Sequence, residues 1–169
     1  MIHIRMEAPG DQNAIYHINQ LAFGGDAEPK LVNALRMAGN ATLSLVAEVD
    51  GLLVGHILFS PMTIETERSQ LLALGLAPLA VLPDHQNKGI GSELVKMGLK
   101  KGQELGWERS LVLGHPKYYP RFGYQPAHIF GIRSNYKAPL EAFMALALRE
   151  GALNNCSGLA RYAPQFDEM

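Results

Sequence analysis

Apolar and polar side chains alternate through Ile2-His3-Ile4-Arg5-Met6, the two-residue period of a half-buried strand. The period then lengthens. Ile15, Ile18, Leu21 and Ala22 fall three to four apart behind Asp11, which predicts a helix capped by that carboxylate. Leu31, Leu35 and Ala38 mark a second helix ending at Gly39-Asn40. Two apolar runs, 43–49 and 52–61, are separated by Asp50-Gly51, a pair that accepts the positive φ angles of a tight turn, so they read as a hairpin. Residues 71–81 form a third apolar run. Beyond it Ile90, Leu94, Met97 or Gly98, Lys101 and Leu105 recur at helical spacing, predicting a helix over about 87–105 closed by Gly106-Trp107. Residues 110–113 then complete a β-α-β unit, and 143–148 and 158–162 are the remaining strand candidates. No repeat or linker divides the chain, so a single domain over 1–169 is expected.

The junction between the third run and its helix carries the chemistry. It reads Leu79-Ala80-Val81-Leu82-Pro83-Asp84-His85-Gln86-Asn87-Lys88-Gly89-Ile90-Gly91-Ser92. Pro83 ends the strand because it has no N–H to give, and Asp84-His85-Gln86 is a polar turn. The first turn of a helix has N–H groups without internal partners at the positive end of its dipole, and so attracts an anion. Gly89 and Gly91 leave the approach free of side chains, Lys88 adds a cation, and Gln86 and Asn87 add amide donors. The string is neither a Walker A loop, which needs Gly-Lys-Ser/Thr after four spacer residues, nor a dinucleotide fingerprint, whose third Gly is replaced by Leu94.

Composition narrows the partners. With 169 residues and 47% hydrophobic content the chain can bury a sizeable core. A net charge of −1 offers no electrostatic footprint for nucleic acid or an anionic membrane. No run reaches the roughly 20 apolar residues of a membrane span, and the N-terminus lacks an apolar signal core. Cys156 is the only cysteine, which excludes an internal disulfide and suits a reducing compartment; a cytoplasmic protein is expected. The six histidines form no pair at metal-ligand spacing with cysteine or carboxylate, so no metal site is expected. Cys156, between Asn154-Asn155 and Ser157-Gly158, reads as a packing residue rather than a nucleophile.

Gln86-Asn87-Lys88-Gly89-Ile90-Gly91 resembles the Gln/Arg-x-x-Gly-x-Gly/Ala signature of the GNAT superfamily of acetyl-CoA-dependent N-acetyltransferases. Tyr119-Pro120-Arg121-Phe122-Gly123-Tyr124 is similar to that family's Tyr-x-x-x-Gly-Phe segment, with Tyr124 in place of the usual Phe. His115-Pro116-Lys117-Tyr118-Tyr119 and Ala77-Pro78-Leu79-Ala80-Val81 extend the resemblance over nearly the whole chain, towards a bacterial branch of predicted, YhbS-like acetyltransferases. The resemblance implies an α/β (α+β) domain with a mixed, mostly antiparallel central sheet, its middle strands splayed and helices flanking it. It implies acetyl-CoA as co-substrate, no metal, and a small-molecule or peptide primary amine as acceptor, attacked directly in a ternary complex. Homodimers recur in the family, which leaves a dimer open here.

The resemblance also assigns roles. The pantetheine arm would bond to the backbone of Leu79, Ala80 and Val81, and the pyrophosphate would sit on the amides of Asn87, Lys88, Gly89, Ile90, Gly91 and Ser92, with Gln86 beside them. Transfer to an amine needs a base for its proton, a donor for the oxyanion and an acid for sulfur. A backbone N–H near Val81 is the implied oxyanion donor and Tyr119 the implied acid, with Tyr118 as its neighbouring alternative. No carboxylate lies in 71–82, and His115, which follows the strand at 110–113, is a candidate base, with His56 and Glu65 as others. Lys117 and Arg121 could meet a cofactor phosphate or simply be solvated. Two further readings stay open: an acyl-CoA-binding regulatory module with weak turnover, and a transferase of another acyl group or to another acceptor.

Overall fold

The hairpin predicted around Asp50-Gly51 is the organising element of the first half of the computed structural model, which describes residues 1–169. Strand β2 (Leu43–Val49) pairs antiparallel with β3 (Leu52–Glu65), and Asp50 and Gly51 both take positive φ, 51° and 78°. Strand β1 (Ile2–Met6) adds antiparallel to the other edge of β2, Ile4 opposite Ala47. β3 runs four residues beyond the expected end. Helices α1 (Gln12–Phe23) and α2 (Ala27–Met37) follow β1. Strand β4 (Gln70–Val81) leads through the turn to α3 (Ile90–Glu104).

The chain divides into two compact units. The first comprises Met1–Ser60, Ala77–Gly98 and Pro164–Met169; the second comprises Pro61–Leu76 and Leu99–Ala163. In the first, Ile15, Ile18, Leu31, Val32 and Leu35 of the two early helices are buried, as are Leu45, Val54, Phe59, Ile90 and Leu94. α3 buries Ile90, Leu94, Val95 and Gly98, and its Gly98 lies so near the Phe59 ring that an added Cβ would collide with it. In the second unit, β4 pairs parallel with β5 (Arg109–Leu113), Leu74 opposite Ser110. β5 pairs antiparallel with β8 (Phe143–Ala147), which also takes the two-residue β6 (Gln125–Pro126). β7 (Ile132–Ser134) runs parallel to β9 (Gly158–Arg161), and β9 pairs antiparallel with the end of β3. The nine strands thus make a mixed, mostly antiparallel set with three helices. No helix is long and apolar enough to cross a membrane.

Several local expectations are corrected. Asp11 does not cap α1 through its side chain; its carboxylate is taken by Arg5, at 2.7 and 3.1 Å, and by the Ala8 N–H at 2.7 Å. α3 begins at Ile90 rather than Asn87, because Asn87 and Gly89 take left-handed φ values of 62° and 85° that no helix accepts. Leu21 is exposed within α1, and Leu105 is exposed because α3 ends one residue before it. Strands β6 and β7 were not expected at all.

One buried network explains His56. Its Nδ1 accepts from Asn19 Nδ2 at 3.1 Å and its Nε2–H donates to Ser44 Oγ at 3.0 Å; Ser44 then donates to Glu7 Oε1 at 2.8 Å. Arg36 grips the same carboxylate with two bonds, 3.1 and 2.9 Å. Burial drives the imidazole pKa down to about 4, against the smaller opposing pull of Glu7. A folded-state pKa below the unfolded value of 6.5 means that the unfolded chain binds the proton first as pH falls. The contribution of neutral His56 is therefore intact above pH 6.5 and is lost progressively down to about pH 4, amounting to about 3 kcal/mol. Thermal midpoints measured from pH 7.5 to 4 should fall more steeply for the native protein than for His56→Gln, which does not titrate; parallel curves would show that His56 is not held neutral.

Candidate active site

The turn leaving β4 is built from short-range bonds. Leu82 N–H donates to Val54 O at 2.8 Å, and Pro83–His85 form one 3-10 turn closed by His85 N–H to Leu82 O at 2.8 Å. The Gln86 side chain folds back, its Nε2 donating to Val81 O at 3.0 Å. This side-chain amide fastens the turn with one of its two N–H donors. Asn87 and Gly89 are left-handed on either side of Lys88, and such alternation turns successive N–H groups towards one side. The first helical bond of α3 is Glu93 N–H to Gly89 O at 3.1 Å, so the amides of Ile90 and Gly91 have no acceptor one turn back. A Cβ built on Gly89 meets nothing within 4 Å, so the space in front of that backbone is open. Asn87, Lys88 and Gly89 are exposed, and Gly91 and Ser92 half-buried. The donors, the dipole and the open approach fit a pyrophosphate.

The second unit brings His115 and Tyr119 together. β5 ends at Leu113, opposite Phe143, and Gly114 N–H donates to Ala142 O at 2.9 Å. The His115 carbonyl accepts from the N–H groups of Tyr118 and Tyr119, at 3.1 and 3.4 Å, which starts the 3-10 turn Tyr119–Phe122. Tyr119 lies over Gly114, where any Cβ would strike its ring. It also meets Tyr118 and Tyr124 edge-on, with ring centroids 5.1 and 5.8 Å away. Burial pushes its phenol up to about 12, with a smaller contribution from Tyr118. The His115 side chain is exposed.

Other candidates have structural partners. His56 uses both ring nitrogens in the network above, and Glu65 is bonded by Arg161 at 3.0 Å. Arg121 donates to Tyr118 O at 2.9 Å and stacks over the Tyr118 ring at 4.4 Å, which accounts for its guanidinium without a phosphate. Cys156 is buried with its Sγ 3.1 Å from Ala152 O, and burial raises its thiol pKa, as suits a packing residue. Sequence reasoning missed Ser110. Its Oγ donates to Leu74 O at 2.7 Å and receives the Tyr124 hydroxyl at 2.8 Å, which is what lets a tyrosine stand where the motif has phenylalanine. Burial raises the Tyr124 phenol well above its ordinary pKa.

Residues 40–126 match the family model for the acetyltransferase (GNAT) domain. The chain is 37% identical over 167 residues to the uncharacterized N-acetyltransferase YhbS of Escherichia coli K12, covering 98% of this chain and 99% of that protein. The chain belongs to the GNAT family of N-acetyltransferases. The crystal structure of E. coli YhbS in complex with CoA matches this GNAT fold with a TM-score of 0.92 at 36% identity, over 98% of this chain and 92% of that one. A GNAT acetyltransferase from Brucella melitensis in complex with acetyl-CoA matches with a TM-score of 0.81 at 35% identity, over 99% of both chains.

The Ser110 pair makes an asymmetric prediction for this GNAT chain. Ser110→Ala leaves the buried Tyr124 hydroxyl unpaired and should cost about 1–3 kcal/mol in urea unfolding, whereas Tyr124→Phe leaves Ser110 bonded to Leu74 and should cost about 1 kcal/mol. Adding Tyr124→Phe to Ser110→Ala should recover stability; additive losses would show that the two hydroxyls are not coupled.

Proposed function

We propose that this GNAT enzyme transfers the acetyl group of acetyl-CoA to a primary amine of a small molecule or peptide, by direct attack in a ternary complex, with 1–169 acting as one catalytic domain in a reducing, cytoplasmic setting. The observation that carries the reading is the anion seat at 86–92, where left-handed Asn87 and Gly89 and the start of α3 present backbone donors before an open approach. The CoA and acetyl-CoA complexes of the two similar proteins support the same ligand here.

Acetyl-CoA supplies an activated acyl carbon. Leu79, Ala80 and Val81 offer the backbone for its pantetheine arm, and Asn87, Lys88, Gly89, Ile90, Gly91 and Ser92 hold its pyrophosphate. The amine nitrogen bonds to the acyl carbon and the carbon–sulfur bond breaks, so one proton must leave nitrogen and one must reach sulfur. A backbone N–H near Val81 steadies the oxyanion. With a pKa of about 12, Tyr119 stays protonated throughout the working pH range and gives its proton, or a strong hydrogen bond, to the departing thiolate. His115 takes the amine proton. A substrate that arrives as the free amine reduces the demand on it.

Calorimetric titration with acetyl-CoA, followed by a free-thiol assay over a panel of amines and N-terminal peptides, tests the reading. Binding with amine-dependent CoA release is expected; binding without release on any acceptor would favour a non-catalytic acyl-CoA module, and absence of binding would reject the seat. Gly89→Val should weaken acetyl-CoA at least tenfold by placing a side chain in the pyrophosphate path, with circular dichroism confirming that the fold survives a β-branched residue at φ 85°. Tyr119→Phe should lower kcat by about 100-fold or more while leaving acetyl-CoA affinity within about threefold. Unchanged kcat would pass the acid role to Tyr118 or water.

A further inference from the structure

Strand β7 borders a cavity of about 590 Å³ whose lining residues all belong to the second unit. Ile132, Arg133 and Ser134 line it together, although successive strand residues point to opposite faces, so the cavity follows the edge of the strand rather than one face. That edge is open, because β7 pairs with β9 alone. Gly158 N–H bonds to Gly131 O at 3.0 Å and Asn135 N–H to Ala160 O at 3.1 Å, which turns residues 131, 133 and 135 towards β9. The N–H groups of Ile132 and Ser134 therefore face the other way. Arg133, Lys137 and His128 stand along the same wall, and Glu141, the one acid between residues 128 and 143, is not part of it. Arg5, Arg36, Arg109, Arg149 and Arg161 each pair with a glutamate or aspartate, whereas Arg133 and Lys137 are exposed and form no ion pair. Ser134 Oγ accepts the Tyr136 N–H at 3.0 Å, which leaves its hydroxyl proton to be donated. The Tyr136 ring is held against Tyr162 at 5.5 Å, and Leu140 and Phe143 add apolar wall.

We infer that this cavity is a ligand site in its own right, for a small molecule that carries a carboxylate or phosphate on an aromatic or apolar body. The inference asks nothing of the acetyl-CoA seat, since every group it uses belongs to the second unit. A guanidinium forks onto two oxygens of such an anion, and a lysine adds a point charge. The Ser134 hydroxyl and the outward N–H groups of β7 add neutral donors of the same sense, so the polar part of the wall offers donors to one kind of partner. Tyr136, Leu140 and Phe143 take the apolar body, and the volume is that of an ordinary small-molecule pocket. A purely cationic ligand meets two like charges and no counter-charge.

The test titrates the full chain, without CoA, by calorimetry with 3-phenylpropionate, phenyl phosphate and the neutral 3-phenylpropanamide, and with acetate and inorganic phosphate as anions lacking the ring. At least one aromatic anion should bind about tenfold or more tightly than both the neutral amide and its ringless counterpart, and the tighter of the two identifies the anion as carboxylate or phosphate. The variant carrying Arg133→Gln and Lys137→Gln, both at exposed positions, should lose that preference while its thermal midpoint stays within a few degrees of the native value. Gly89→Val should keep the preference, because it alters the seat at 86–92 and not the cavity. Equal affinity for charged and neutral probes, or a preference that survives in the double variant, overturns the site. A preference lost in Gly89→Val assigns the anion to the cofactor seat and overturns it as well.

Discussion

The bond from the Gln86 side chain to the Val81 carbonyl holds the turn on which the proposed cofactor seat depends. β4 has to stop, reverse its local handedness twice and restart as α3 within nine residues, and a turn of that kind has few backbone bonds of its own. Pro83 removes one donor, and Asn87 and Gly89 occupy left-handed conformations that cannot join a helical ladder. A side-chain amide bonded to the last carbonyl of the strand replaces the missing tie. Its net worth is about 1 kcal/mol, small against the whole fold. Its consequence is geometric: the backbone N–H groups between Asn87 and Gly91 keep one arrangement before any ligand arrives, so less ordering is charged against binding.

How much of this was legible in the sequence follows from the range of the interactions involved. The Asp50-Gly51 hairpin, the β-α-β unit and the glycine-punctuated seat are written in residues close together in the chain, and their chemistry fixes local geometry whatever surrounds them. Asp11 misled because a helix cap and an arginine compete for one carboxylate, and Arg5 offers two charge-assisted bonds where a cap offers a neutral amide. β6 and β7, two and three residues long, carry no readable period and exist only because β8 and β9 pair with them. The Ser110–Tyr124 bond depends on tertiary assembly, and no spacing rule announces it.

His56 shows why a histidine on a strand is a poor guide to catalysis. Desolvation dominates its titration, Glu7 pulls the other way, and Arg36 neutralises much of that pull through the same carboxylate. The outcome is a neutral ring with each nitrogen committed, a good polar clasp between α1, β2 and β3 and a poor base. Burial produces the opposite service in Tyr119. A phenol whose pKa rises to about 12 keeps its proton, which is the form the proposed acid role requires.

The proposed cofactor seat and the proposed acid are therefore written in different materials. The cofactor seat relies on backbone N–H groups and a helix dipole, which almost any sequence able to make the turn can supply. The proposed acid relies on a side chain, Tyr119, held edge-on by Tyr118 and Tyr124 over Gly114, where exchanging one aromatic ring changes the packing that keeps the phenol buried. Backbone geometry resists change because altering it breaks the strand-to-helix turn, whereas the phenol depends on neighbouring rings that single substitutions reach.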